Sequence, residues 1–383
     1  MNVIALRELN TDEQRVPLVP ADAAKMVEMG AQLQVEAGIG TDIGHADAAY
    51  TEAGATVVAD RAALLGAADL VLRLSKPQSE DIALMKQGAI HVSYLDPFNE
   101  TGLVKELKAA GISAISMEMI PRTTLAQKMD ALSSQANLGG YVAVILAAER
   151  MNRIFPMMMT PSGTIPPAKV FIIGAGVAGL QAIATAKRLG ARVEAFDTRP
   201  VVAEQVESLG GRFVKVDLGE TGQTKDGYAK ALTPEQLEIQ RQTMAKHAAG
   251  ADVVITTAQL FGRPAPRILT RDMVEAMKPG SIVIDMAVES GGNVEGSQLG
   301  EEVDINGVRV IGLGNLPGRV AADASLMYSS NLFNLVEQFW DKEAKEMKLN
   351  LEDEIIDGCL IIHEGAIRNE TIKSLVEGNG DEQ

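Results

Sequence analysis

The fold of this chain is decided by the stretch KVFIIGAGVAGLQAIATAKRLGARVEAFDTR, residues Lys169–Arg199. Lys169–Ile173 is an apolar run typical of a buried strand, and it leads directly into the pattern G-x-G-x-x-G formed by Gly174, Gly176 and Gly179. In such a connection the first glycine permits a tight turn, the second lets the backbone approach a pyrophosphate, and the third lets the new helix pack closely on the strand. The stretch therefore predicts a strand, a turn and a helix whose N-terminus faces phosphate groups.

The residues after the glycines complete a dinucleotide-binding unit. Apolar residues recur at helical spacing up to Leu189, Gly190 is typical of a helix C-terminus, and Arg192–Phe196 indicates the next strand. Asp197 ends that strand about 20 residues after the glycines, where an acid accepts a hydrogen bond from a ribose 2′-OH. Arg199 leaves open a site for a 2′-phosphate, but Asp197 would repel that group. The sequence thus favours NAD over NADP.

Composition limits the possible function classes. The chain has 383 residues, enough for two domains, and 46% hydrophobic with 22% charged residues is typical of a globular α/β protein. A net charge of −16 argues against nucleic acid and anionic membrane surfaces as direct partners. Cys359 is the single cysteine, which excludes an internal disulfide and indicates a core position in a reducing compartment. The four histidines lack the spacing of metal ligands, and no apolar run approaches the roughly 20 residues of a membrane span.

Apolar runs alternate with helical patterns before the glycine motif, which predicts a second α/β layer. The predicted strands are Val3–Leu6, Gln32–Glu36, Thr56–Val58, Leu70–Leu74, Ile90–Tyr94 and Ser113–Met117, and the predicted helices are Ala21–Met29, Ala46–Ala53, Arg61–Leu65, Asp81–Lys86 and Thr101–Ala109. Asp130–Arg153 has a long helical pattern. Phe155–Pro167, with four prolines, indicates a connection, and Met157–Met159 within it suggest core or linker packing rather than a site.

The second half of the chain predicts a complete doubly wound sheet. Its strands are the two already named and Arg212–Val216, Asp252–Thr257, Ser281–Met286 and Val308–Gly312. The polar stretch Asp217–Pro234 is too long for an ordinary connection and indicates a lid, a disordered segment or an insertion without consequence. Arg319–Lys348 predicts a long amphipathic helix, and Leu349–Leu351, Ile355–Ile362 and Ala366–Arg368 predict short strands that return to the first domain.

We therefore predict an α/β protein with two Rossmann-like doubly wound domains. The first is discontinuous, with residues 1–136 plus 322–383. The NAD(H)-binding domain, residues 137–321, is inserted into it.

Six runs of sequence resemble the NAD(H)-binding component, domain I of the alpha subunit, of proton-translocating NAD(P) transhydrogenase. They are Phe155–Thr160, Gly176–Gly190, Glu204–Gly211, Met277–Ser281, Val288–Gly292 and Arg319–Ser325. The resemblance covers nearly the whole chain and implies a Re/Si-specific transhydrogenase subunit. Such a subunit passes hydride between its own NAD(H) and NADP(H) on a partner component.

Two alternatives remain open: a regulatory NAD-sensing module without catalysis, and alanine dehydrogenase, a related enzyme. It has a lysine near a K-x-P-type motif and a histidine after Tyr-Leu for acid/base work, whereas our alignment places Ser75 and Asp96 at these positions. A shift of one residue would restore Lys76, but the histidine would still be missing, and oxidative deamination needs proton transfer. Arg15 resembles the substrate-carboxylate arginine of that enzyme, and with its partners changed we interpret it as structural.

The transhydrogenase resemblance implies a set of site residues. Arg122, Gln127, Asp130 and Ser133 would be catalytic: Arg122, Asp130 and Ser133 would hold the nicotinamide carboxamide, and Gln127 would reach the nucleotide on the partner. On sequence alone these four would be a plain polar loop before a helix. The full set of implied cofactor-binding residues is Arg122, Thr123, Thr124, Leu125, Gln127, Ser133, Gly174, Gly176, Val177, Gly179, Asp197, Thr198, Arg199, Gly227, Tyr228, Gln240, Ala258 and Gln259. No metal is implied.

The resemblance also implies partners and a location. The partners are an NADP(H)-binding component, a transmembrane component coupled to proton translocation, and a second copy of the chain. The subunit would be cytoplasmic and peripheral on the inner face of the membrane, attached through its partners.

Overall fold

A computed structural model describes residues 1–216 and 233–378. The chain divides into two compact units, one formed by Met1–Gln135 with Val320–Gln383 and the other by Ala136–Arg319. The elements of the first segment are β1 Asn2–Ala5, α1 Pro20–Glu28, β2 Gln32–Glu36, α2 Asp47–Glu52, β3 Thr56–Val58, α3 Arg61–Ala67, β4 Leu70–Leu72, α4 Ser79–Leu84, β5 Ile90–Ser93, α5 Thr101–Ala109 and β6 Ser113–Ser116. The helix α6, Ala131–Arg150, follows.

The inserted unit and the returning segment continue the element order. The inserted unit contains β7 Met158–Thr160, β8 Gly163–Ile165, β9 Lys169–Ile173, α7 Val177–Arg188, β10 Arg192–Phe196, α8 Ala203–Ser208, β11 Arg212–Phe213, α9 Pro234–Gly250, β12 Val253–Thr256, α10 Arg271–Glu275, β13 Ile282–Asp285, β14 Glu302–Ile305 and β15 Val308–Ile311. The returning segment contains α11 Ala321–Gln338, β16 Trp340–Asp341, β17 Glu346–Met347, α12 Glu354–Cys359, β18 Leu360–His363, β19 Ala366–Ile367 and α13 Glu370–Gly378.

The first unit is an eight-stranded sheet in the order β19-β18-β6-β5-β4-β1-β2-β3. Strands β1 to β6 are parallel, and β18 joins the edge antiparallel to β6. Side chains alternate between two buried clusters, so that Val3 and Ala5 lie in one and Ile4 lies in the other. Helix α11 contributes Tyr328 and Leu332 to the first cluster. The returning segment therefore completes the first sheet, as predicted.

The second unit is a seven-stranded sheet in the order β11-β10-β9-β12-β13-β15-β14. All its pairs are parallel except that of β14 with β15. The order reverses on the two sides of β9, so the carboxyl end of β9 is the topological switch point at which doubly wound sheets bind ligands. The predicted class, two Rossmann-like doubly wound domains, is confirmed.

Several sequence predictions were wrong in detail. Phe155–Pro167 is more than a connection, because β7 and β8 form a hairpin, and Met157 and Met159 on it are 57% and 73% exposed rather than core. The sheet of the second unit has a further edge strand, β14. The helix predicted to reach Lys348 ends at Gln338, where the small β16–β17 hairpin follows.

The C-terminal segment also departs from prediction. Leu349–Leu351 is not a strand. Ile355–Ile362 splits into α12 and β18, because Asp353 caps the helix by accepting a hydrogen bond from the N–H of Ile355. Cys359 is fully buried, as expected.

Helix α6 corrects the view that no apolar run has the length of a membrane span. It has 20 residues, and an 18-residue window within it has a mean hydropathy of 1.3, which meets that criterion by length and composition among the described residues. Half of the apolar window is buried inside the protein. A core helix of a soluble protein has the same properties, so α6 is weak evidence for a membrane span.

Candidate functional site

The glycine turn lies at the switch point of the second unit, between β9 and α7. Gly174 has φ +101°, and a Cβ there would lie 2.4 Å from Thr257 Oγ1. A Cβ on Gly179 would lie 1.9 Å from the carbonyl oxygen of Gly174. Both distances are far below van der Waals contact, so only glycine fits at these two positions. The close packing of α7 on the turn predicted from the sequence is therefore present.

Gly176 differs from the other two glycines because it is open. Within residues 1–216 and 233–378, a Cβ at this position would meet nothing within 4 Å, and Gly176 is the N-cap residue of α7. Among these described residues no side chain caps the helix, so its first N–H groups, starting at Val177, are not used by a capping side chain. The end of a helix carries partial positive charge and orphan donors, which suit a pyrophosphate. Space and donors thus fit the diphosphate of a dinucleotide.

Asp197 stands directly after β10, and both of its oxygens are fully engaged. Oδ1 accepts from the backbone N–H of Arg199 at 2.8 Å and from its Nε at 2.9 Å. Oδ2 accepts from the N–H of Ala175 at 2.8 Å and from Arg199 Nη2 at 2.8 Å. The carboxylate raises the pKa of the Arg199 guanidinium through these bonds. Asp197 therefore ties the glycine turn to the tip of β10, and the Arg199 guanidinium bonds to both of its carboxylate oxygens.

The segment after β12 forms the other side of the turn. Thr257 Oγ1 donates to the carbonyl of Gly174 at 3.1 Å, and both backbone groups of Ala258 bond to the side chain of Asn293. Gln259 is exposed, and its Nε2 donates to the carbonyl of Met286 at 3.1 Å. The structure therefore brings Ala258 and Gln259 to the same sheet edge as the glycines.

The remaining predicted residues lie on α9, directly after β10, or outside the described residues. Gln240 lies on α9, and its buried Oε1 has no hydrogen-bond partner within residues 1–216 and 233–378. Thr198 is half-buried after β10. Gly227 and Tyr228 lie outside the described residues.

The loop before α6 belongs to the first unit. Its backbone is held by Ala126 and Met129, which are buried in the core with α11. Asp130 caps α6 by accepting from the N–H of Ser133 at 2.9 Å and from its Oγ at 2.6 Å. The buried residues Ala126 and Met129 hold the backbone of this loop against the core, while residues between and before them are exposed. The side chains of Arg122, Thr124, Leu125 and Gln127 are exposed on it, and Thr123 is half-buried.

Comparison with known proteins agrees with this geometry. Models of the alanine dehydrogenase/PNT N-terminal and C-terminal domains match residues 4–139 and 143–370. An NAD(P) transhydrogenase alpha-subunit protein of Rhodospirillum rubrum is 44% identical over 374 residues, which cover 96% of this chain and 97% of that protein. The chain belongs to the alanine dehydrogenase/PNT family.

Solved structures give the same answer. A transhydrogenase from Sinorhizobium meliloti is 43% identical, with a TM-score of 0.86, and the match covers 96% of this chain and 100% of that one. An L-alanine dehydrogenase matches with a TM-score of 0.80 over 99% of both chains, but at 22% identity this likeness concerns the fold alone. Among these proteins of the alanine dehydrogenase/PNT family, the transhydrogenases are much the more similar in sequence.

Arg15 and Lys76, the two residues that correspond to substrate-binding or acid/base groups in the alanine dehydrogenase alternative, bond to other side chains of this protein. Arg15 makes a bidentate bond to Glu13, with distances of 2.8 and 2.7 Å, and a third bond to Gln135 at 2.9 Å. Burial alone would lower the pKa of Arg15, but the bond and charge of Glu13 raise it overall. Lys76 pairs with Glu100 at the surface. The interpretation of Arg15 as a structural residue agrees with its buried pairing.

Thr257 and Asn293 were not predicted from the sequence. Thr257 is the last residue of the predicted strand Asp252–Thr257, and Asn293 comes directly after the run Val288–Gly292. A polar residue at the carboxyl end of a parallel strand was the available signal for Thr257. For Asn293 the sequence carried no signal of its contact with Ala258, because 35 residues separate the two.

Proposed function

We propose that the chain is the NAD(H)-binding subunit of a proton-translocating, Re/Si-specific NAD(P) transhydrogenase. Hydride passes directly between NAD(H) on this chain and NADP(H) on a separate component, and a transmembrane component couples the transfer to proton translocation. The observation that carries the proposal is the glycine turn. There, the space at Gly176 and the open end of α7 fit a pyrophosphate, and Asp197 lies at the tip of the next strand.

The second unit would hold the dinucleotide. The N–H of Val177 would contact the pyrophosphate, Asp197, Thr198 and Arg199 would surround the adenosine ribose, and Ala258 and Gln259 would flank the cleft, with Gln240, Gly227 and Tyr228 completing it. For a ribose diol to donate to Asp197, the guanidinium of Arg199 must turn away, whereas the backbone donors of Arg199 and Ala175 can remain. Binding therefore exchanges one set of charge-assisted hydrogen bonds for another.

The loop of the first unit would position the nicotinamide. Arg122, Asp130 and Ser133 would hold the carboxamide, and Gln127 would reach NADP(H) on the partner. Bound NAD(H) supplies the hydride chemistry itself, so the protein needs to orient the ring and exclude water rather than move a proton. Asp96, directly after Tyr94 and Leu95 where alanine dehydrogenase has a histidine, supports this function over alanine oxidation, which needs an acid/base group.

The assembly in this proposal includes a second copy of the chain, the NADP(H)-binding component and the transmembrane component. The subunit would be cytoplasmic and peripheral at the inner face of the membrane through these partners. Sedimentation velocity at micromolar concentration tests the homodimer. A single species with the mass of one 40.7 kDa chain would contradict it.

The experiment that separates the two family activities uses the purified chain with and without the other components. Alone, with alanine and NAD, the chain should form no NADH. With the NADP(H)-binding and transmembrane components, it should catalyse reduction of NAD by NADPH. Rapid NADH formation from alanine by the chain alone would contradict the proposal and establish the alanine dehydrogenase alternative.

A further inference from the structure

A buried carboxylate organises the loop that follows β13. Asp285 is fully buried, and its oxygens accept from the backbone N–H groups of Ala287, Asn293 and Val294, each at 3.1 Å. Gly292 has φ +80°, and a Cβ there would lie 2.6 Å from Asp285 Oδ2. Only glycine therefore fits at this position beside the carboxylate. The loop is therefore held in one conformation by backbone bonds that converge on a single side chain.

This conformation buries Asn293 completely and directs its amide at Ala258. Oδ1 accepts from the N–H of Ala258 at 3.0 Å, and Nδ2 donates to the carbonyl of Ala258 at 2.8 Å and to that of Pro266 at 2.8 Å. The backbone carbonyl of Asn293 also accepts from Ile268 and Leu269. One side chain thus satisfies both backbone groups of Ala258, as a neighbouring strand would.

Ala258 is connected to the glycine turn through the residue before it. The N–H of Thr257 donates to the carbonyl of Ile173 at 2.9 Å, and its hydroxyl donates to the carbonyl of Gly174. A continuous set of bonds therefore runs from Asp285 through Asn293 to Ala258 and the turn. The Asn293 side chain has both of its amide donors and its oxygen acceptor in use, so its loss leaves the half-buried backbone groups of Ala258 without this partner.

We infer that Asn293 is a positioning residue for the dinucleotide site and acts on its nicotinamide half. This inference rests on the proposed function. Asp197 follows β10 and Ala258 follows β12, on opposite sides of β9 in the sheet. A dinucleotide in a doubly wound domain lies across this switch point, with one nucleotide over each side. The adenosine half lies over β10, so the segment that Asn293 fixes borders the other half.

The test compares the binding of NADH with that of 5′-AMP, which lacks the nicotinamide half. Asn293→Ala removes the amide and leaves both backbone groups of Ala258 without their partner. NADH affinity should fall roughly tenfold or more, because about two hydrogen bonds of ordinary strength are lost from the wall of the site. The affinity for 5′-AMP should change by less than about twofold, a split that a loss of stability alone would not produce.

The matched control is Val294→Ala. Val294 is the next residue and is also fully buried, but its backbone bond to Asp285 survives the change. This variant should lower the melting temperature while both ligands keep their wild-type affinities. If Asn293→Ala does not fold, Asn293→Ser keeps a hydrogen-bonding group in the buried space and is measured in its place.

Three results are decisive. A selective loss of NADH affinity in the Asn293 variant supports the inference. Equal losses for NADH and 5′-AMP, or no loss for either, would overturn it and leave Asn293 with a role in stability only. A wild-type chain that does not bind NADH would instead overturn the proposed function.

Discussion

Both oxygens of Asp197 accept hydrogen bonds from the protein, and this makes the residue a test of the nucleotide site. Asp197→Ala removes the carboxylate proposed to accept from the ribose and should weaken NADH binding roughly tenfold or more, since a hydrogen bond to a charged group contributes ~1.5–3 kcal/mol. Glu194→Ala is the control, because this acid lies on the same strand but pairs with Arg212 and His247. Titration of NADH fluorescence measures both variants. An unchanged affinity of Asp197→Ala would remove the residue from the site.

Gln127 tests the position assigned to the loop before α6. Its side chain is exposed on a backbone fixed by buried neighbours, so Gln127→Asn should not disturb folding. NADH affinity should stay near the wild-type value. Hydride transfer in the complex should slow by up to ~100-fold, the cost of misplacing reacting atoms by about 1 Å.

The measurement for Gln127→Asn is the rate of the first turnover by stopped flow, with the NADP(H) component added. Lys128→Gln is the control, because Lys128 lies beside Gln127 and its half-exposed Nζ lies 3.8 Å from Glu337 Oε2, a long surface pair. If Gln127→Asn transfers hydride at the wild-type rate, Gln127 has no part in the transfer.

His91 gives a prediction for stability against pH. It is fully buried on β5, and burial, aided by the charge of Arg73, lowers its pKa from 6.5 to about 3. The unfolded chain then takes up a proton below pH 6.5 and the folded chain does not. The stability that depends on neutral His91 is therefore complete above pH 6.5. Between pH 6.5 and the folded-state pKa of about 3, the free energy of unfolding falls by about 1.4 kcal/mol per pH unit.

His91→Gln should remove this contribution. Urea unfolding of both proteins at pH 7 and pH 5 measures it, and the free energy of unfolding of the wild type should fall more steeply than that of the variant. Identical pH dependence in the two proteins would show that His91 takes up its proton equally in the folded and unfolded states.

At the scale of elements, the glycines of the turn have different roles: Gly179 is needed for packing, and Gly176 is proposed to leave space for the ligand. Gly179→Ala places a Cβ 1.9 Å from a backbone oxygen and should lower the free energy of unfolding by roughly 1–3 kcal/mol. In the part of the chain that the structure describes, Gly176→Ala meets no protein atom within 4 Å and should fold normally, but its methyl group would enter the space that the proposed function assigns to the pyrophosphate. NADH affinity should then fall about tenfold, or ~1.4 kcal/mol.

Thermal unfolding and NADH titration measure both glycine variants. Gly179→Ala should lose stability, whereas Gly176→Ala should keep its stability and lose NADH affinity. Each variant serves as the control for the other. Wild-type NADH affinity in Gly176→Ala, or wild-type stability in Gly179→Ala, would contradict the roles assigned to these two glycines.

The sequence was sufficient for the central elements and insufficient for the edges. Strands such as β2 and β9 are buried runs bounded by turn residues, so their bounds were predicted correctly. The edge strand β14, EVDI, alternates two exposed acidic residues with two apolar ones over only four residues, and was too short to give an apolar signal. The run Ile355–Ile362 was ambiguous because a short apolar segment fits a helix and a strand equally well.

The same limit applies to the site. The glycines and Asp197 follow a fixed spacing that the sequence displays, whereas the bond of Asn293 to Ala258 depends on a loop shaped by Asp285. The exposed hairpin β7–β8 was also beyond prediction, since its methionines have the character of core residues. Local pattern identified the turn, and tertiary contacts decided what surrounds it.

At the scale of the whole molecule, the chain is an acidic protein of two α/β units. In our proposal it binds only one of the two nucleotides between which hydride passes. In this proposal NADP(H) is bound by a separate component. If hydride moves directly from one nicotinamide to the other, its hydrogen never exchanges with water. The reaction therefore has an isotopic signature that depends on the assembled complex.

The most direct measurement mixes the chain and its NADP(H)-binding component with NADH, deuterated on the transferred face of the nicotinamide C4, and NADP in ordinary water. The product NADPH is then analysed by mass spectrometry. We predict that NADPH carries the deuterium in full, and that omission of either protein abolishes its formation. NADPH without deuterium, or deuterated NADPH formed by the NADP(H)-binding component without this chain, would contradict direct hydride transfer from NADH held here.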